Sequence, residues 1–190
     1  MAILGQTKLD AVNNCLTAIN EYRVTALDTG NNSIQADAER VVDESTRYFC
    51  SIGYQCNTKK CVTVTAIATV IELPAATLRV KAAGSSSYRN LVLRGDNLYD
   101  ADRGTATFGA TEVVYLDIAE LLAFEDCDPM LKEIIAQHAA QRFARRKIGS
   151  QVADAYLSQE LQITTQFNKT SSVFTDESVV INQAQKNNAQ

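Results

Sequence analysis

"CDPMLKEIIAQHAAQRFARRKIGS", Cys127–Ser150, reads as one complete helix with both of its ends written in. Asp128 suits the N-cap and Pro129 the first helical position, where a missing N–H costs nothing. Leu131, Ile134, Ile135, Ala139 and Phe143 recur at three and four residues, which puts them on one face. Gly149 supplies the stop. About 20 residues rising 1.5 Å each make a rod of roughly 30 Å. Four cations, Arg142, Arg145, Arg146 and Lys147, crowd its last turns. Cations there complement the helix dipole at about 0.3–1 kcal/mol each, which accounts for one or two of the four. A phosphate-binding surface would want further basic residues with aromatics between them. A protein interface would use the arginines for forked bonds to a neighbour's carboxylates.

Upstream, Leu9, Val12, Cys15, Leu16 and Ile19 form the apolar stripe of a first helix, with Thr7 as cap and Asp10 three positions on. The polar loop "NEYRVTALDTGNNS" follows. A second helix runs from about Ile34 to Ile52, its inner face Ile34, Ala38, Val41, Val42, Ser45, Tyr48, Phe49 and Ile52, and Gly53 ends it. Asp37, Glu39, Arg40, Asp43, Glu44 and Arg47 form its outer face.

From Cys61 to Leu73 the β-branched residues take over. Val62, Val64, Ala66, Ala68 and Val70 alternate with Thr63, Thr65, Ile67, Thr69 and Ile71, which predicts strand until Pro74. "TLRVKA" makes another strand, "GSSS" a loop tip, "LVLRGDNLYD" a hairpin turning on Gly95, Asp96 and Asn97, and "TEVVYL" a last strand. Beyond the opening stretch, Ser150 caps a fourth helix carrying Val152, Ala155, Tyr156 and Ile163. The fold class is therefore α+β: a four-helix bundle with a small antiparallel β lobe inserted between helix pairs, plus an extended C-terminal arm. The divisions fall at residues 1–55 (first helix pair), 56–117 (β lobe), 118–168 (second pair) and 169–190 (arm). In the arm, Val173, Phe174, Val179, Val180 and Ile181 are anchors for a segment that orders on a partner.

With 22 acidic against 18 basic residues in 190, the net charge of -4 argues against a general polyanion binder. "MAILGQTKLD" is too short an apolar run for a signal peptide or a span, so synthesis in the cytoplasm without a membrane association is expected. Cys15, Cys50, Cys56, Cys61 and Cys127 match neither paired zinc knuckles nor a disulfide framework, and read as reduced thiols. A metal held by Cys50, Cys56, Cys61 and His138 is disfavoured on ligand spacing. His138, the one histidine, sits beside the apolar stripe with no acid or nucleophile at a suggestive spacing. In "DADRG", Asp100, Asp102 and Gly104 resemble the start of a calcium loop, but position 111 is Thr where the closing glutamate belongs. The nucleotide, hydrolase and metalloprotease motifs are absent. Neither an enzyme nor a cofactor is expected.

Four stretches in order resemble the tail tubular protein A family, the head-to-tail adaptors of T7-like short-tailed bacteriophages. They are "AVNNCLTAIN" (11–20), "QADAERVVDESTRYFCSIGY" (35–54), "LRGDNLYDAD" (93–102) with its R-G-x-x-Y-D hairpin, and "FEDCDPMLKEIIAQHAAQRFARRKIGS" (124–150). The loop after the first helix departs from the family in lacking its double proline. The resemblance implies a virion structural protein at the head-tail junction. It implies a ring of 12 copies that binds the portal protein, receives the tail nozzle protein, lies near the tail fibre attachment and passes genomic DNA without specific binding. For such a ring, Arg142, Arg145 and Arg146 are expected to meet carboxylates, with Asp37, Asp43 and Glu44 as candidates. Two alternatives stand beside it: a connector from a phage with another tail type, and a small nucleic-acid-binding regulator.

Overall fold

The computed structural model describes residues 6–27 and 33–149. The chain divides into two compact units, one holding the residues up to Val42 and from Pro129 onward, the other Asp43–Asp128.

In the first unit, α1 spans Lys8–Thr17. Its capping box forms as the sequence predicts. The Asp10 N–H donates to Thr7 Oγ1 at 3.2 Å, and the Asp10 carboxylate accepts the Thr7 N–H at 3.0 Å. That N–H, together with the Thr7 hydroxyl, holds the Asp10 carboxyl below the usual range. The helix buries Ala11, Val12, Asn13, Cys15 and Leu16. Asn13 is the polar member of that face, and its amide grips the returning loop with two bonds. Nδ2 donates to the Val24 carbonyl at 3.0 Å and Oδ1 accepts the Val24 N–H at 2.8 Å.

The long helix α3 spans Pro129–Lys147 and packs against α1. All five residues of its predicted face are buried, and so are Ala136, Ala140, Gln141 and Ala144. The stripe is thus a broad arc, which the alanines permit because they let neighbours approach the backbone closely. Gly149, at φ +64°, lies just beyond its end. Among the described residues the only α-helices are α1, α3 and the helix Ser33–Ile52 between them in sequence, so these residues form no four-helix bundle. The helix expected from Ser150 and the C-terminal arm lie outside the described residues.

Helix α2 spans Ser33–Ile52 and ends at Gly53, whose φ of +85° suits a residue without a Cβ. Ala38, Val41, Val42, Ser45 and Phe49 are buried as predicted. Tyr48 and Ile52 are not: they are 53% and 43% exposed, and Thr46 and Cys50 take the inner positions instead. A single-sided periodicity cannot choose between neighbouring positions at the edge of an apolar stripe.

The second unit is built on a sheet of order β1-β5-β2, with β1 Thr58–Thr65, β2 Thr77–Ala82 and β5 Val113–Glu120, all antiparallel. A hairpin of β3 Leu91–Arg94 and β4 Asn97–Asp100 stands beside it. Leu91, Leu98, Phe108, Val114, Leu116 and Ile118 share one core with Ile71 and Leu73. Burial of such side chains contributes about 1.5–3 kcal/mol apiece. Strand β5 runs four residues past the expected "TEVVYL", and β1 begins earlier than predicted.

The predicted strand through Leu73 does not form. After β1 the chain turns at Ala68 and Thr69, with φ of +48° and +71°, and Ile67 and Val70 exchange both backbone hydrogen bonds at 2.8 and 3.0 Å. Positive φ at both central residues is the type I′ pattern, normally filled by Asn-Gly. The turn reverses the alternation: Ile67 is 81% exposed, whereas Ile71 and Leu73 go into the core. The hairpin turn, in contrast, forms where predicted but is one residue tighter, with Gly95 and Asp96 alone between the paired strands. Gly95 takes φ +60°, and Arg94 pairs with Asn97 across the turn, which makes Asn97 the first residue of β4.

Candidate functional site

The basic end of α3 meets α2 within the first unit. Lys147 Nζ donates to Asp37 Oδ2 at 2.7 Å and stands 5.7 Å from the Phe143 ring centroid. Arg40 Nη2 donates to the other Asp37 oxygen at 3.0 Å. The Lys147 hydrogen bond and charge, with Arg40 and Arg146 beyond, hold the Asp37 carboxyl below the ordinary range. A shallow cleft of about 170 Å³ lies here, lined by Asp37, Arg40, Val41, Phe143, Arg146 and Lys147. Of the residues named from sequence, the structure thus brings Asp37 and Arg146 together. Arg145 and Arg146 are exposed and Arg142 is half-buried. Asp43 is exposed and Glu44 partly buried, further along α2. His138 is half-buried on α3; burial first, then the charges of Arg142 and Arg145, push its imidazole down to about 4, so it is neutral at pH 7.

The R-G-x-x-Y-D hairpin proves to be architecture. Arg94 lies over the Tyr99 ring at 3.5 Å, and Gly95 makes the turn between them. Asp100 is buried and fully occupied. Arg89 Nη2 and Nε donate to Oδ2 at 2.7 and 3.2 Å, and the N–H groups of Asp102 and Arg103 donate to Oδ1. Arg89 Nη1 also reaches Glu112 at 2.5 Å, and Arg103 closes the group at 3.6 Å from both carboxylates. Burial pushes Asp100 up, but the bonds from Arg89 and Arg103 outweigh it and leave its carboxyl below the ordinary range. The Gly109 N–H and then Arg89 do the same for Glu112. Asp102 accepts the Asn90 N–H at 2.9 Å. The acidic loop therefore commits its carboxylates to backbone and arginine. Among the described residues no three His, Cys, Asp or Glu side chains are grouped to hold a metal.

Two features of the second unit escaped the sequence. Asn57, buried, donates through Nδ2 to the carbonyls of Cys50 and Glu120, both at 2.7 Å, tying the end of α2 to β5. No local pattern signals it. The second is a groove of about 220 Å³ on the sheet face turned away from the core, edged by Lys60, Arg79 and Lys81. Here a signal existed: Arg79 and Lys81 stand two apart in "TLRVKA", so a strand must present both on one face.

Cys50 and Cys127 are buried together, and a hydrogen bond from Cys127 draws the Cys50 thiol below its usual range. Burial pushes Cys15 up to about 12. Cys56 and Cys61 are exposed. No described helix is long and apolar enough to cross a membrane.

The family model described as tail tubular protein matches residues 9–172, which takes in both units. No curated protein matches the chain.

Proposed function

The chain belongs to the tail tubular protein family, and on that premise we propose that it is the head-to-tail adaptor of a phage virion. It is a structural protein of the tail, and the family is not one of enzymes. In the proposed arrangement 12 copies form a ring that binds the portal protein on one side and docks the tail nozzle on the other, with the tail fibre nearby. DNA passes through the bore at ejection. Each chain carries -4, so a ring of them repels the duplex and leaves it free to slide.

One observation supports the ring most directly: cations and carboxylates stand exposed on α3 and α2 of the same subunit. Arg145 and Arg146 face solvent at one place and Asp43 at another. A head-to-tail contact needs two different, complementary surfaces on each copy. In this reading Arg142, Arg145 and Arg146 of one subunit engage Asp43, Glu44 and the Asp37 region of the next. The C-terminal arm, anchored by Val173, Phe174, Val179, Val180 and Ile181, contributes to docking.

Native mass of the purified chain, with and without portal particles, tests the proposal. A 12-fold species on the portal supports it. A chain that stays monomeric with portals, yet binds free duplex DNA with a steep salt dependence, is a regulator and not an adaptor.

A further inference from the structure

We propose that the outer face of the β1-β5-β2 sheet is a docking groove for residues 173–181, "VFTDESVVI", of a second copy of this chain. This rests on the reading that copies assemble side by side, but not on a ring or on its size.

The groove has a cationic surplus. Lys60, Arg79 and Lys81 edge it, and Asp117 is the one carboxylate that lines it. Asp117 is already engaged: Oδ1 accepts the Cys61 N–H at 2.8 Å, at the bulge where β1 shifts register, and Oδ2 stands 4.0 Å from Lys60. Arg79 gives one N–H to the Ile52 carbonyl at 2.9 Å, where α2 ends, and a guanidinium has four more. Lys81 has no partner among the described residues. Lys59, next along β1, is neutralised by Glu120 at 2.8 Å. Apolar surface lies beside these charges, since Ile52 lines the groove and is 43% exposed.

An occupant must therefore bring two negative charges and apolar groups on either side of them. The chain contains such a segment. Asp176 and Glu177 are adjacent, preceded by Val173 and Phe174 and followed by Val179, Val180 and Ile181. It lies outside the described residues, 24 positions past Gly149, a length that spans up to about 80 Å when extended. A tether of that length does not confine the segment to its own subunit. A nucleic-acid strand would match the cations but not Ile52, and the chain's net charge opposes it. Groove and segment are different surfaces of one chain, so the contact repeats from copy to copy.

The test uses the full-length chain carrying Asp176→Lys and Glu177→Lys, which frees the groove of its own segment. A fluorescent peptide spanning residues 170–183 is titrated against it by anisotropy. We expect saturable binding that weakens at least tenfold when Lys81→Glu is added, and at least as much with Lys60→Glu. Both positions are exposed, and far-UV circular dichroism confirms the fold. Reversing charges on both sides in one chain should restore self-association by native mass. Equal binding to the unreversed and reversed grooves overturns the proposal. So does equal binding of a scrambled peptide, or displacement by a short DNA duplex at equal charge. If the wild-type chain assembles on portals while the peptide ignores the groove, the inference falls and the adaptor reading stands. If the peptide binds the groove but the chain does not assemble on portals, the inference stands and the adaptor reading falls.

Discussion

Arg89 and Asp100 form a buried ion pair, 2.7 Å apart with side chains 7% and 2% exposed, which ties the two ends of the β3-β4 hairpin together. The pair joins the residue after Tyr88 to the last residue of β4. Its second arm, to Glu112, reaches the segment that leads into β5.

Replacing Arg89 by methionine leaves Asp100 buried without its cation. Breaking one side of such a pair costs about 3–5 kcal/mol. Urea unfolding followed by circular dichroism should show that loss, and restoring charge balance with Asp100→Asn in the same chain should recover part of it. A loss below about 1 kcal/mol would show that Arg103 suffices alone.

Stability should also fall on the acid side. Asp100 and Glu112 ionise more readily folded than unfolded. Their contribution is therefore complete above the ordinary carboxylate range, near pH 4, and is lost as pH drops through and below it. The urea midpoint of the wild type should decline between about pH 5 and 3. That of the Arg89→Met, Asp100→Asn, Glu112→Gln chain should change less; parallel declines would contradict the assignment.

The turn at Ala68 and Thr69 places two residues with Cβ atoms at positive φ, Thr69 being β-branched. Each such residue costs on the order of 1 kcal/mol or more. Ala68→Asn with Thr69→Gly should raise the unfolding free energy by about 1–2 kcal/mol, because Asn-Gly suits a type I′ turn. The Thr69 carbonyl bond from the Phe108 N–H uses backbone alone and should persist. Unchanged or lower stability would mean that the turn is not strained.

Asn57→Ala removes the donor to two buried carbonyls. A cost of about 1–3 kcal/mol is expected from the unsatisfied acceptors. Asn57→Asp should be no better, since a carboxylate cannot donate to either. An aspartate variant of full stability would disprove this role.

Thiol labelling should split the five cysteines into two classes. Cys56 and Cys61 are exposed and should alkylate within the first minutes at neutral pH, whereas Cys15, Cys50 and Cys127 should wait for denaturant. Peptide mass mapping reads the order. Rapid labelling of Cys50 in the native chain would mean that its raised acidity, not its burial, decides.

By itself the sequence determined helices α1, α2 and α3, while the stripe read out to Ile19 overran the end of α1 at Thr17 and the fourth helix lies outside the described residues. Thr7 with Asp10, Pro129, Gly53 and Gly149 act through bonds and torsions a few residues long, so reading them needs no knowledge of the fold. The Gly95 turn is equally local. Only the tertiary structure decided where the alternation after β1 breaks, because Ala68 and Thr69 carry no turn signal and give way to the burial of Ile71 and Leu73. The same holds for the pairings of Arg89 with Asp100, Asn57 with Glu120 and Asp117 with Cys61, which lie 11 to 63 positions apart. Side chains that far apart meet through the paths of the strands between them, and periodicity, which compares near neighbours, contains no information about that meeting.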